Sequence, residues 1–460
     1  MSLFGNIENI YFSGIGGIGM SALARYFIAG GYNVAGYDRA RSNLTDALVE
    51  EGCLISYNDL VSEIPAEFKN LENTIIVYTP AIPQSNNILS FFRSNEYVVL
   101  KRSAVLGMIS AKYRTIAVAG THGKTSVSTI TAHILKQSTL DCTAFLGGIS
   151  KNYNTNMILG EGAFTVMEAD EYDKSFHTLS PEIALITSMD PDHLEVYGSH
   201  EGMIEAYRKF ANGIITGGTL IVHSSIRSLL YPIDGVKILT YGDGPDCDFK
   251  LLDSNISDDY YHFSIEYYGG KIENLRWSVV GKRNLNNALA AIAISLTAGV
   301  TSEEIRKSLL YFKGVERRFD IKINSPGFIF IDDYAHHPEE LNFLISSVRE
   351  FYGDRRITAV FQPHLFTRTK EHAISFARSL EKLDKVLLLP IYPAREEPIE
   401  GVSSKLILDE MVSGNPELVT EEQLYKRFLS IDTEIFITIG AGNIDKMVEN
   451  LWEKAKAIKG

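Results

Sequence analysis

The residues with the clearest chemistry lie together: Gly120, Thr121, His122, Gly123, Lys124, Thr125 and Ser126. Glycines let a backbone turn sharply enough to aim its N–H groups at a phosphate, a lysine adds a full positive charge, and a threonine hydroxyl can ligate Mg²⁺. That combination describes a loop for a nucleoside triphosphate. It is two residues shorter than the G-x-x-x-x-G-K-[ST] form, which would place glycine where the chain has Val118. Such a loop works only between a strand and a helix. Thr115 to Ala119 is a short β-branched and apolar run that reads as a buried strand, and Val127, Ile130, Ile134 and Leu135 recur at helical spacing. These flanks argue against an incidental Gly-Lys-Thr in a tight turn.

Three further clusters combine suitable residue types. Gly14, Gly16, Gly17 and Gly19 form a G-x-G-x-x-G turn after the strand-like IENIYFSG, and Asp38 ends the next strand-like run, NVAGYD. This β-α-β spacing seats a pyrophosphate on a helix N-terminus; alone it suggests NAD, but it suits any nucleotide diphosphate. Thr79 and Arg102 fall at later strand ends of the same segment, where open α/β sheets bind ligands. Glu168, Asp170, Glu171 and Asp173 follow a second apolar strand. An acid at a strand end beside a phosphate loop is where a magnesium ligand is needed, and Glu168 is nearest that end, leaving the other three to outer or solvated roles. His193, in DPDH, can bind metal or exchange protons near neutral pH, although a plain loop histidine is the commoner case. Asp332, Asp333, Tyr334, His336 and His337 form the third cluster. Adjacent histidines project differently, so a shared zinc site is not expected there.

The composition narrows the function. The chain has 460 residues, 45% of them hydrophobic and 22% charged, enough for two to four domains with real cores. A formal net charge of −13 argues against a nucleic-acid partner, because phosphate-backbone affinity needs clustered Lys and Arg. No stretch reaches the length of a membrane span and the N-terminus lacks a basic segment leading into an apolar one, so a soluble, cytoplasmic protein is expected. Cys53, Cys142 and Cys247 are too scattered for a disulfide framework or a zinc site.

The order of elements suggests an α/β protein with three domains, at 1–106, 107–320 and 321–460. The first alternates strands and helices from the glycine turn onward. The second runs from the phosphate loop to KGVERRFDIK and includes an aromatic-rich stretch around Gly269–Gly270 that fits an antiparallel ribbon. Arg317 and Arg318 at its end are either an exposed pair or phosphate-recognising groups. In the third, four apolar runs each end in a polar cluster, which predicts a mainly parallel sheet with functional groups along one edge.

Taken in order, GIGGIGMS, GTHGKTS, EADEYDKSF, DPDHLEVYG, GKRNLNNA, GVERRFD, DDYAHHP, FQPHLFTRT, LLPIYPAREEPI and GAGNI closely resemble the Mur ligase family. The resemblance implies a Rossmann-like N-terminal domain, a central mixed α/β domain of the P-loop ATPase type and a Rossmann-like C-terminal domain that closes over the site. It implies a cytoplasmic ligase of peptidoglycan precursor synthesis, a monomer or weak homodimer, with UDP-N-acetylmuramate, L-alanine and ATP as small-molecule partners, Mg²⁺ as cofactor, and neither nucleic acid nor membrane. Gly14, Gly16, Gly17, Gly19, Asp38, Thr79 and Arg102 would then serve the UDP-sugar. Gly120 to Ser126, Asn284, Asn287, Arg318, Asp333 and His336 would serve ATP; Thr125, Glu168 and His193 would hold magnesium; and Tyr334, His364 and Arg368 would surround the amino acid. Lys124, His193 and Arg318 would be catalytic. Two positions depart from the family pattern: Arg283 stands where histidine is usual and Leu365 where arginine is usual. A carbamylated lysine of related ligases would fall on Arg208, so that modification is not expected. A related ligase that attaches a preformed peptide to the same sugar is the nearest alternative, and an NAD-dependent oxidoreductase a more distant one.

Overall fold

The computed structural model describes residues 3–192, 194–258, 260–394 and 396–459; side chains at 173, 194, 195, 458 and 459 are not considered. The described chain is α/β and builds three sheets. The first comprises β1 (Asn9–Ser13), β2 (Asn33–Tyr37), β3 (Leu54–Ser56), β4 (Thr74–Tyr78) and β5 (Val98–Lys101), all parallel, in the order β3-β2-β1-β4-β5. The order reverses beside β1, so the glycine turn that follows β1 opens at the switch point of the sheet.

The second sheet has ten strands: β6 (Arg114–Ala119), β7 (Cys142–Ser150), β8 (Thr155–Ile158), β9 (Phe164–Glu168), β10 (Ile183–Ile186), β11 (Thr219–His223), β12 (Lys237–Gly242), β13 (Phe249–Ser257), β14 (Tyr260–Tyr267) and β15 (Gly270–Trp277). Their order is β15-β14-β13-β12-β11-β10-β6-β9-β7-β8, with β6 parallel to both β9 and β10. The phosphate loop leaves the carboxyl end of β6, and the acid-rich segment leaves that of the adjacent β9.

The third sheet contains β16 (Asp320–Ser325), β17 (Phe328–Asp333), β18 (Ile357–Phe361), β19 (Lys385–Leu388), β20 (Pro416–Leu418) and β21 (Ile435–Ile439), ordered β16-β17-β21-β18-β19-β20. Only β16 runs antiparallel to its neighbour. Alternation along the strands feeds two cores. Ile329, Ile331, Ile357, Ala359, Ile435 and Ile437 face the helices Pro338–Tyr352 and Phe366–Leu380, whereas Phe328, Phe330, Val360 and Phe436 join the core that includes Ile444, Met447 and Leu451 of helix Ile444–Lys459. Burial of both faces explains why these strands read as unbroken apolar runs.

The chain divides into two compact units. One comprises Met1–Asn255, His262–Arg276 and Asn286–Lys313; the other Ile256–Tyr261, Trp277–Leu285 and Gly314–Gly460. The first two sheets therefore share a unit, although the sequence suggests a division near residue 106. Their side chains interlock: Tyr26 packs on Phe145 with ring centroids 5.3 Å apart, and the buried Asn156 donates to Ile18 O at 2.6 Å and Ser21 Oγ at 2.9 Å. Ile10, Phe12, Leu23 and Phe27 belong to the same core as Phe145, Met157 and Met167. Among the described residues no helix is long and apolar enough to cross a membrane.

Candidate active site

The phosphate loop takes its shape from its glycines and from the segment after β10. Gly120 has φ +128° and Gly123 φ +82°, left-handed values that side chains strain to adopt. A Cβ on Gly123 would lie 2.6 Å from Asn287 Oδ1, so the absent side chain also admits the helix Lys282–Ala298. Thr121 N donates to Ser188 O at 3.2 Å, Thr121 Oγ1 to Asp190 O at 2.9 Å, and His122 N to Ser188 Oγ at 3.2 Å; Thr187 Oγ1 donates to His122 O. His122 Nε2 lies 3.8 Å from Asp190 Oδ2. Helix Lys124–Gln137 then begins without a side-chain N-cap, and Ser126 lies in its half-buried first turn. An uncapped helix start directs N–H groups and partial positive charge at whatever occupies the loop, the geometry that favours an anion.

Around this loop the charges are paired. Lys124 Nζ donates to Gly120 O and to Glu171 Oε1, each at 2.7 Å. Burial pushes the ammonium towards neutrality, but the carboxylates of Glu171, Asp170 and Glu168 outweigh it and hold its pKa above the ordinary lysine value. Thr125 Oγ1 donates to Glu168 Oε1 at 3.1 Å, and Glu168 Oε2 accepts from Gly147 N at 3.0 Å. A hydroxyl and a carboxylate at hydrogen-bond distance are hard oxygen donors of the kind magnesium takes, so this pair fits a magnesium ion. His193 lies outside the described residues.

The first glycine turn collects its expected residues. Asp38 Oδ2 accepts from Gly16 N at 2.8 Å, so the acid at the end of β2 braces the turn itself. Thr79 packs on Gly14, where a Cβ would meet its methyl at 2.6 Å, and Arg102 lies over Gly19, where a Cβ would come within 3.1 Å of its Cζ. Gly17 precedes helix Ile18–Ala29, which also lacks a side-chain cap. Arg102 Nη2 reaches Asp170 Oδ2 at 3.3 Å, connecting the turn to the acidic segment after β9.

In the second unit, the two adjacent arginines have different surroundings. Arg317 turns inward: its Nε lies 3.3 Å from the buried Asp332 and its Nη2 donates to Gly440 O. Both guanidinium groups lie over the Tyr334 ring at 5.1 Å, and Arg318, like Arg317, is half-buried. Asp333 accepts from Phe319 N at 2.7 Å and Ala335 N at 2.8 Å, fastening the Arg317–Phe319 loop to the loop after β17; burial raises its pKa to about 6. The ring of His336 lies 5.3 Å from Tyr334 and 6.0 Å from His364, while His364 stacks on Tyr392 at 5.7 Å and approaches Arg368 Nη1 at 3.5 Å. His337 instead faces His372 at 5.0 Å, so the two adjacent histidines diverge. Arg317, Phe319, Leu365 and Ala394 all have positive φ in these loops, a concentration of backbone strain along one sheet edge.

Tyr334, His336, His364 and Arg368 are thus gathered, with Tyr392 as a member the residue-by-residue reading did not single out, although LLPIYPAREEPI contains it. Glu171 is buried against Lys124 rather than in an outer or solvated position, and nothing in EADEYD distinguishes it. Asn287 lies at the phosphate loop; Asn284, grouped with the second unit, donates to Val280 O at 2.7 Å. Arg283 extends over Phe343 at 5.2 Å, and Arg208 donates to Leu229 O and lies over Tyr231 at 4.4 Å.

A nucleotide-type loop, a diphosphate-type turn and a third sheet with an aromatic and basic edge are the parts of an ATP-dependent ligase. Family comparison agrees along the chain: residues 9–114 match the Mur ligase family catalytic domain, 118–295 the Mur ligase middle domain and 317–433 the Mur ligase glutamate ligase domain. The chain is 45% identical to the UDP-N-acetylmuramate–L-alanine ligase of Phocaeicola vulgatus and 46% identical to that of Parabacteroides distasonis, in each case across 97% of both chains. The crystal structure of UDP-N-acetylmuramate–alanine ligase from Thermotoga maritima superposes with a TM-score of 0.83 at 27% identity, covering 98% of this chain and 100% of that one. A murein peptide ligase from Psychrobacter arcticus shares the fold, with a TM-score of 0.71 at 21% identity and coverage of 98% and 100%. The chain belongs to the Mur ligase family.

Proposed function

We infer that this protein joins L-alanine to the lactyl carboxylate of UDP-N-acetylmuramate, with cleavage of ATP to ADP and phosphate, in the synthesis of peptidoglycan precursors. The observation that carries this reading is identity of about 45% over 97% of the chain to proteins bearing that name. The peptide-adding alternative rests on a likeness of 21% identity.

A free carboxylate does not acylate an amine, because oxide is a very poor leaving group. In the proposed reaction the carboxylate attacks the γ-phosphorus, ADP leaves, and an acyl phosphate forms; the neutral amine then adds to the carbonyl and phosphate departs. The protein's part is to position anions and balance developing charge. Lys124, with the uncapped start of helix Lys124–Gln137, would hold the nucleotide phosphates. The turn at Gly14–Gly19, braced by Asp38 and flanked by Thr79 and Arg102, would seat the UDP diphosphate. Thr125, Glu168 and His193 would hold magnesium, which when bound spreads and neutralises phosphate charge. Asn284, Asn287, Asp333 and His336 would serve the nucleotide, Arg318 would balance charge on the transferring group, and Tyr334, His364 and Arg368 would receive the amino acid. Domains at 1–106, 107–320 and 321–460 would divide these tasks. The protein would work in the cytoplasm as a monomer or weak homodimer.

ADP release with ATP, Mg²⁺, UDP-N-acetylmuramate and one amino acid at a time tests the reading. Turnover should require all components and be greatest with L-alanine; release independent of the amino acid, or turnover only with a tripeptide, contradicts it.

A further inference from the structure

Glu171 is an unusual place for a carboxylate. It is 1% exposed, its Oε1 accepts from Lys124 Nζ at 2.7 Å, and its Oε2 is buried with no hydrogen-bond partner among the described residues. Its backbone is held as well: Glu171 O accepts from Lys174 N at 2.9 Å and from the hydroxyl of Tyr197. Burying an ionised carboxylate is costly, and the cost is recovered only when both oxygens are well partnered, which among the described residues they are not. The fold therefore gains little stability from this group. Its charge also opposes the arrival of a polyphosphate, since Asp170 and Glu168 already surround the same lysine. What Glu171 does supply is position. With Gly120 O it fixes the ammonium from two directions, across the head of the loop.

We propose that Glu171 is a positioning residue of the phosphate loop: it holds the Lys124 ammonium in place before the nucleotide arrives, exchanging some ground-state affinity for a charge already aligned with the transferring phosphoryl group. This deepens the ligase reading and rests on it. Two opposed consequences follow from removing the charge while keeping the shape. Loss of a nearby negative charge favours nucleotide binding, whereas loss of alignment raises the barrier to transfer.

The test is Glu171→Gln in the full chain, with Glu171→Asp, which withdraws the carboxylate by one methylene, as the second variant. Three readouts are needed: the Kd for Mg·ADP by titration, kcat with KM for ATP in the complete assay, and Tm. In E171Q the Kd and KM should stay equal or fall, while kcat drops at least about tenfold. E171D should also lose kcat, and its loss decides the matter if E171Q does not fold. Unchanged kcat in the folded variants, or a loss of kcat matched by weaker nucleotide binding, overturns the proposal. Wild-type protein that binds no nucleotide overturns the ligase reading and this inference together, whereas wild-type turnover with an unaffected E171Q overturns this inference alone.

Discussion

The phosphate loop and the edge of the third sheet solve one problem by different means. Both must hold strained backbone at the carboxyl end of a parallel sheet. At the loop the left-handed residues are glycines, Gly120 and Gly123, and the bracing comes from the backbone and hydroxyls of Thr187, Ser188 and Asp190. At the third sheet the left-handed residues are Arg317, Phe319, Leu365 and Ala394, and carboxylates hold two of them: the buried Asp332 grips Arg317, and the half-buried Asp333 grips the amide of Phe319. Glycine makes strain cheap and visible in a sequence. A non-glycine residue needs a latch, and a latch is visible only when both halves are known.

The largest expected difference lies in what single substitutions remove. Lys124→Ala should lower ADP release dependent on both substrates by about 10³-fold, because its ammonium, donating to Gly120 O, places a full positive charge at the head of the loop. Near-normal turnover would remove the loop from the mechanism. Tm should fall as well, because the substitution leaves the buried Glu171 carboxylate without its cation, so turnover is compared on protein that gel filtration shows to be folded.

At the third sheet the adjacent arginines separate stability from chemistry. Arg317→Ala strands the carboxylate of Asp332, which is 1% exposed, and should cost about 3–5 kcal/mol in a denaturant titration. Arg318→Ala should cost about 1 kcal/mol or less of stability and yet lower kcat/KM by about 10²-fold. If R318A unfolds and R317A does not, the division of stability and chemistry between the two arginines is reversed.

These arginines mark where the sequence stops being legible. GVERRFD presents two identical side chains, and partners far along the chain, Asp332 and the carbonyl of Gly440, decide that Arg317 turns inward; no local pattern encodes that pairing. The strands were readable because both faces of the parallel sheets are buried, so Phe328–Asp333 and Ile435–Ile439 advertise themselves as apolar runs. The loop was readable because Gly-x-x-Gly-Lys-Thr has a mechanism at fixed spacing. Asp38 follows β2, as the spacing of the turn suggests, and its carboxylate accepts from Gly16 N. Glu171 was lost among four acids because burial, which sets it apart, is a tertiary property. The shared unit of the first two sheets was hidden for the same reason: nothing local to Asn156 indicates that its amide donates to Ile18 O, 138 residues away.

A smaller effect tests the glycine side of the comparison. Gly123→Ala imposes a side chain at φ +82° and brings a Cβ to 2.6 Å from Asn287 Oδ1. The strain should cost about 1–3 kcal/mol, and displacement of the loop should weaken Mg·ADP binding measurably by calorimetry. Wild-type affinity in this variant would mean that the loop tolerates what the third-sheet latches exist to enforce.

The finest distinction concerns charge at the amino-acid end. Burial lowers the pKa of His364 to about 4, helped by the nearby His336 and Arg368. The ring is therefore neutral at pH 7, so a carboxylate bound there would meet positive charge from Arg368 and only a neutral hydrogen-bonding group from His364. Because the folded value lies below the ordinary 6.5, the unfolded chain binds the proton more readily. This histidine's contribution is thus constant above pH 6.5 and declines as the pH falls towards 4, by at most about 1.4 kcal/mol per pH unit. The His364 ring resonance, assigned by its loss in His364→Gln, should titrate with a midpoint below 5, and Arg368→Ala should raise that midpoint by removing a neighbouring positive charge. A midpoint near 6.5 that ignores Arg368 would show the ring to be solvated, and the stack on Tyr392 would then no longer distinguish this edge from an ordinary surface loop.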